Sequence, residues 1–205
     1  MKECWIFGSG VIGCYDDYNV PSGAYVIAAD GGYSHLKRLG ITPDFILGDF
    51  DSLTEPLPDS CDIYKADVRK DDTDMMLAVK KALSMGYNDI TLCGALGGRL
   101  DHTFANIQTL EYIAVHGGRG RLFSEDNIVM LQTEGRAEYR RTEGMYFSIF
   151  SLTDTAVVTT RGTEYDLDEY TLTRDFPLGV SNEICGESAL CEVKSGKLLV
   201  IFSKK

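Results

Sequence analysis

At 205 residues and 44% apolar composition, the chain can form one large domain or two modest ones with a real core. A formal charge of −11 and the lack of any Lys/Arg-rich run argue against a nucleic-acid-binding face, and phosphate chemistry in so acidic a protein calls for metal ions to mediate. Six cysteines without CxxC or zinc spacing read as reduced thiols of a cytosolic protein, and with no signal peptide and no run of ~20 apolar residues, no membrane association is expected.

In chain order, residues 3–8 read as a first strand running into Gly8-Ser9-Gly10-Val11-Ile12-Gly13. This GxGxxG suggests a dinucleotide site only if a helix follows the glycines directly. Residues 14–23 hold turn formers throughout, with Pro21 near the end, so no crossover helix is expected there. Two readings stay open for the glycines: a loop that lets a phosphate or ribose approach the backbone, or a plain turn. Residues 25–29 form a second strand, and Asp30-Gly31-Gly32 leads into a helix over 33–39 that Gly40 and Pro43 stop. Asp30 reads equally well as the cap of that helix and as a ligand beside an anion or a metal-bound phosphate.

The stretch Pro43-Asp44-Phe45-Ile46-Leu47-Gly48-Asp49-Phe50-Asp51-Ser52 follows. It reads as a buried strand that spills into a loop carrying two carboxylates. In extended backbone Asp49 and Asp51 point to one side, where they can share a hard cation or a water. A Pro-containing loop and a short strand over 62–66 come next, then Lys70-Asp71-Asp72-Thr73-Asp74 at the start of a helix. Met75, Ala78, Val79, Ala82 and Leu83 make the core-facing stripe of that helix, and Gly86 ends it. One of the aspartates is expected to cap it, which leaves the surplus for metal and phosphate beside Lys70. Residues 89–96 form a further buried strand that leads into Gly97-Gly98-Arg99-Leu100-Asp101-His102 and a helix to about 115. Arg99 suits bidentate grip of an anion, while His102 and Asn106 share one helix face.

Strands at 121–123 and 128–132 close this half, and beyond about residue 135 helical periodicity gives way to short β-like runs. They fall at 146–152, 156–159, 189–193 and 198–202, with Lys194-Ser195-Gly196-Lys197 as a hairpin turn. The expected architecture is α/β: a mostly parallel α/β sheet domain over residues 1–126, then an all-β sandwich domain over residues 127–205. Parallel strands joined by helices all end on one side, so Asp30, Asp49, Asp51, Asp74 and Asp101 are expected at one sheet edge, where like charges call for a divalent cation.

The four ordered motifs around Asp30, Asp49, Asp74 and Asp101 resemble those of the thiamin pyrophosphokinase family, and Gly162, Tyr165, Leu167 and Gly179-Val180-Ser181-Asn182 resemble its thiamin-binding domain. The resemblance implies transfer of pyrophosphate from ATP to the thiamin hydroxyl, giving thiamin diphosphate and AMP. It further implies Mg²⁺ held by Asp30, Asp49, Asp51 and Asp74, with Asp101 in the active-site shell. Lys70, Thr73 and Arg99 would contact phosphate, and Ser181 and Asn182 would meet the thiamin pyrimidine from the second subunit of a homodimer with shared sites. Some family members carry a tryptophan shortly after the Ser-Asn pair, whereas residues 183–193 hold no aromatic residue, which leaves Tyr165, Tyr170 and Phe176 as stacking partners. Two alternatives stay open: a metal-dependent nucleotide phosphohydrolase using the same aspartates on water, and a non-catalytic nucleotide- or thiamin-sensing module.

Overall fold

The computed structural model describes residues 1–49, 58, 61–65 and 71–205. They form two compact units, Met1–Glu125 and Asp126–Lys205.

In the first unit, β1 (Glu3–Phe7), β2 (Tyr25–Ala29), β3 (Phe45–Gly48), β4 (Asp62–Lys65), β5 (Asp89–Cys93) and β6 (Arg119–Phe123) alternate with three helices, α1 (Gly32–Leu39), α2 (Asp74–Ser84) and α3 (Leu100–Val115). The strands lie in the order β6-β5-β1-β2-β3-β4, and every neighbouring pair is parallel. The middle strands are mainly apolar and buried over nearly their whole length because helices cover a parallel sheet on both faces, while β4 at the edge is exposed along its length. On one face Trp5, Phe7, Val26 and Ala28 pack with Tyr33 and Leu36 of α1. Ile12 and Tyr18 join the same cluster, so the long β1–β2 connection folds back over the sheet without forming a helix. That agrees with the dismissal of the GxGxxG as a dinucleotide motif. No helix among the described residues is long and apolar enough to cross a membrane.

At the start of α2 the expectation of an aspartate cap is corrected. Thr73 is the cap, its Oγ1 accepting from the Met76 N–H at 3.1 Å. Asp72 instead takes an ion pair with Lys80 at 2.6 Å, so the helix end is organised by a hydroxyl and the neighbouring carboxylate by a lysine two turns on. The core stripe holds for Met75, Ala78, Val79 and Ala82, with Leu83 only half-buried.

The second unit packs two antiparallel four-stranded layers. One runs β12 (Gly179–Asn182), β9 (Met145–Ser151), β14 (Leu198–Lys204), β7 (Asn127–Gln132). The other runs β11 (Tyr170–Thr173), β10 (Thr155–Arg161), β13 (Ser188–Ser195), β8 (Gly135–Arg140). Phe147, Ile149, Val200 and Phe202 of the first layer meet Ala156, Val158, Cys191 and Val193 of the second in a single core. The architecture is thus the expected parallel α/β unit followed by a β sandwich. The hairpin at residues 194–197 is not found. β13 pairs with β8 and β10, β14 with β7 and β9, so the turn at Gly196 carries the chain from one layer to the other. Strands β8, β11 and β12 escaped the sequence because each lies at a layer edge and is largely exposed, β11 and β12 being only four residues long, so few apolar positions mark a buried face.

Candidate active site

Strand order reverses at β1: β2, β3 and β4 lie to one side, β5 and β6 to the other. A crevice forms at such a switch point, outside the carboxyl ends of the two strands, because their connections leave in opposite directions. Here it is a cleft of about 300 Å³, lined by Gly8–Val11 after β1, Gly94, Ala95 and Gly97–Arg99 after β5, Thr73–Met75 at the start of α2, and His102 and Asn106 of α3.

The glycines are there because backbone meets backbone. Gly10 N–H donates to Gly94 O at 3.0 Å, and a Cβ on Gly10 would stand 2.3 Å from that same oxygen. Gly94 lies at φ +60°, and its own Cβ would stand 2.5 Å from Gly8 O. The two loops can close one wall of the cleft only without side chains. Asn106 is buried and ties the β5 loop to α3, its Nδ2 donating to Ala95 O at 2.8 Å.

Thr73, Asp74 and Arg99 thus line one cleft. Asp30 and Asp49 end the neighbouring strands β2 and β3, so they share the carboxyl edge of the sheet with the cleft without lining it. Asp30 N–H donates to Leu47 O at 2.7 Å, and Asp30 adopts φ 50°, a left-handed conformation that few side chains other than Asn and Asp accept readily. Gly31, not Asp30, is the cap of α1. Asp51 and Lys70 lie outside the described residues. Among the described residues no group of three or more His, Cys, Asp or Glu is gathered closely enough to hold a metal ion.

Arg99 forms a forked ion pair with Asp101, Nε at 3.1 Å from Oδ1 and Nη2 at 2.5 Å from Oδ2. Asp101 also accepts from His102 N–H at 3.0 Å, and the Arg99 guanidinium holds its carboxyl below the usual range. Both side chains are exposed, so the pair orients Arg99 more than it stabilises the fold.

Ser181 and Asn182 belong to the second unit, in β12. Ser181 has φ 57°, and its N–H donates to Ser148 Oγ at 3.0 Å. The Asn182 amide is engaged with the neighbouring loop: Oδ1 accepts from Tyr165 N–H at 3.1 Å and from Glu183 N–H at 2.8 Å, and Nδ2 donates to Tyr165 O at 2.9 Å. Asp166 gathers the other side of that loop, accepting from Thr163 N–H at 2.9 Å and from its hydroxyl at 2.8 Å. Tyr165 is thereby held through its backbone N–H and C=O while the residue as a whole stays 70% exposed.

Residues 19–119 match the family described as thiamin pyrophosphokinase, catalytic domain, and residues 132–200 match thiamin pyrophosphokinase, vitamin B1 binding domain. The thiamine pyrophosphokinase of Bacillus subtilis is 30% identical over 186 residues, which cover 86% of each chain. This chain belongs to the thiamin pyrophosphokinase family. Its fold superposes on the crystal structure of that Bacillus subtilis protein with a TM-score of 0.91 at 28% identity, covering 100% of both chains. The thiamin pyrophosphokinase of Geobacillus thermodenitrificans gives a TM-score of 0.87 at 26% identity over 98% of this chain and 97% of the other. Members of the family are enzymes, thiamin diphosphokinases. The catalytic-domain match contains Asp30, Asp49, Asp74 and Arg99, and the vitamin B1 binding match contains Tyr165, Ser181 and Asn182.

Proposed function

We propose that this chain transfers pyrophosphate from ATP to the hydroxyl of thiamin, producing thiamin diphosphate and AMP. The observation that carries the reading is the cleft at the switch point. It offers close-approach glycine backbone, the N-terminus of α2 with its positive dipole end, and one arginine, a combination suited to an anionic chain of phosphates.

The donors near the cleft are carboxylates, which suit a hard cation that prefers oxygen. Mg²⁺ fits because it takes only one or two carboxylates and fills its remaining positions with waters and phosphate oxygens. Of Asp30, Asp49, Asp51 and Asp74, one or two would ligate it directly and the others would hold it through its waters. When bound, the ion neutralises phosphate charge and polarises the P–O bonds. Thr73 retains its hydroxyl hydrogen for a phosphate oxygen, because capping uses the oxygen only as an acceptor. Arg99, aimed by Asp101, supplies a forked guanidinium to the same group. Lys70 adds a further positive charge next to the α2 terminus in sequence.

For thiamin, the Ser181 hydroxyl contacts the pyrimidine, and Asn182 works through Tyr165, whose exposed ring is the platform for stacking. The second unit is thus the thiamin-binding one and the first the ATP- and Mg²⁺-binding one, and two chains assemble as a homodimer with shared sites, working in the cytoplasm. The test is product analysis with ATP, Mg²⁺ and thiamin, against thiamin-free and EDTA controls. AMP and thiamin diphosphate should form in equal amounts and only with metal. Phosphate release that ignores thiamin would replace this reading with a phosphohydrolase, and ligand binding without turnover would replace it with a sensor.

A further inference from the structure

The β1–β2 connection needs an anchor. It has no helix of its own, yet Gly8–Val11 form one wall of the cleft, and glycine leaves the Gly10 peptide free to turn. A turned peptide would aim a carbonyl oxygen at whatever anion the cleft holds. Two side chains from other elements grip this loop. Glu125 Oε1 accepts from Gly13 N–H at 2.7 Å, and His35 Nε2 on α1 lies 2.8 Å from Gly10 O.

Chemistry fixes the protons of the second contact. A carbonyl only accepts, so Nε2 must carry a hydrogen. Burial favours the neutral ring by pushing the His35 pKa below its ordinary value, which leaves Nδ1 as an acceptor. Tyr15 O–H stands 2.7 Å from Nδ1 and therefore donates to it, and the Tyr15 oxygen in turn accepts from Arg38 Nη1 at 3.3 Å. The chain runs in one direction from Arg38 through Tyr15 and His35 to Gly10 O. It turns the Gly10 carbonyl toward α1, and the trans peptide then sends the Val11 N–H the opposite way.

We propose that His35 is a positioning residue for the nucleotide: through Gly10 it fixes the glycine wall of the cleft, and Tyr15 locks the ring in the tautomer that can do so. This rests on the reading of the cleft as the ATP site.

The experiment compares His35→Asn, His35→Gln and Tyr15→Phe in the full-length protein, after ATP binding by the unaltered protein has been measured by calorimetry. Asparagine keeps an acceptor near the Nδ1 position but cannot reach Gly10 O. Glutamine reaches it and still donates. The expected result is a KM for ATP raised about tenfold in His35→Asn, with KM for thiamin and kcat at saturating ATP unchanged. His35→Gln should recover most of that loss, and Tyr15→Phe should fall between. Equal shifts in His35→Asn and His35→Gln, a shift in both KM values, or no shift would overturn the inference alone. Failure of the unaltered protein to bind ATP would overturn the cleft reading together with it. Should His35→Asn not fold, the test rests on the other two variants: Tyr15→Phe must raise KM for ATP selectively while His35→Gln stays closer to the unaltered protein, and the reverse order or no shift in Tyr15→Phe overturns the inference.

Discussion

The two units bring the candidate site residues together in different ways. In the first, topology does it: six parallel strands end on one side, so a residue placed just after a strand reaches the same edge whatever its position in the chain. In the second, irregularity does it: Ser181 and Glu169 leave the ordinary backbone region, the β12–β9 register shifts, and Asn182 pins Tyr165 from seventeen residues away. A site built by topology depends on what stands at its strand ends and helix starts, whereas a site built by irregularity depends on a few side-chain-to-backbone bonds. Each substitution below tries that contrast.

The largest effect is expected at Asp74. Asp74→Asn should cut turnover by about 10²–10³-fold, the scale of losing one charge-stabilising group, while the urea midpoint stays close to that of the unaltered protein. Gly32→Ala follows. A Cβ there would stand 1.8 Å from Phe7 O, so α1 could no longer start against the end of β1. We expect a loss of about 2–3 kcal/mol, read from Trp5 fluorescence, since the single tryptophan reports on the first unit. Gly186→Ala in the second unit meets nothing within 4 Å and should shift stability by less than about 0.5 kcal/mol.

How much of this could be read beforehand follows the same division. Glycine and aspartate at strand ends mark the first unit's candidate site, because the turn, the close approach and the carboxylate all leave their own residue types in the sequence. The stripe of α2 was equally legible. The identity of its cap was not, since Asp71, Asp72, Thr73 and Asp74 are all able caps and only the fold decides that Lys80 takes Asp72. His35 carried no signal, being an ordinary helix residue until the loop brings Gly10 and Tyr15 to its two nitrogens. In the second unit β8 was hidden by its charges, and the crossing at Gly196 mimicked a hairpin because a tight turn reads alike whether the strands pair or part. The engagement of Asn182 with Tyr165 depends on a long-range pairing that no local pattern encodes.

Two effects of intermediate size sharpen the comparison. Asn182→Ala removes both hold points on Tyr165, and with hydrogen bonds of about 1 kcal/mol each, KM for thiamin should rise about tenfold or more while KM for ATP does not move. Thr73→Ala loses the cap of α2, a cost of about 1 kcal/mol in thermal or urea unfolding, and Thr73→Ser should recover most of it.

The division of labour between the units is tested most directly by calorimetry, titrating Mg–ATP and thiamin separately into the unaltered protein, Asp74→Asn and Asn182→Ala. The account predicts that Asp74→Asn weakens Mg–ATP by about tenfold or more and leaves thiamin within about twofold, with the reverse for Asn182→Ala. If either substitution weakens both ligands to the same extent, or each weakens the other's ligand, the assignment of nucleotide to the parallel unit and thiamin to the β sandwich is wrong.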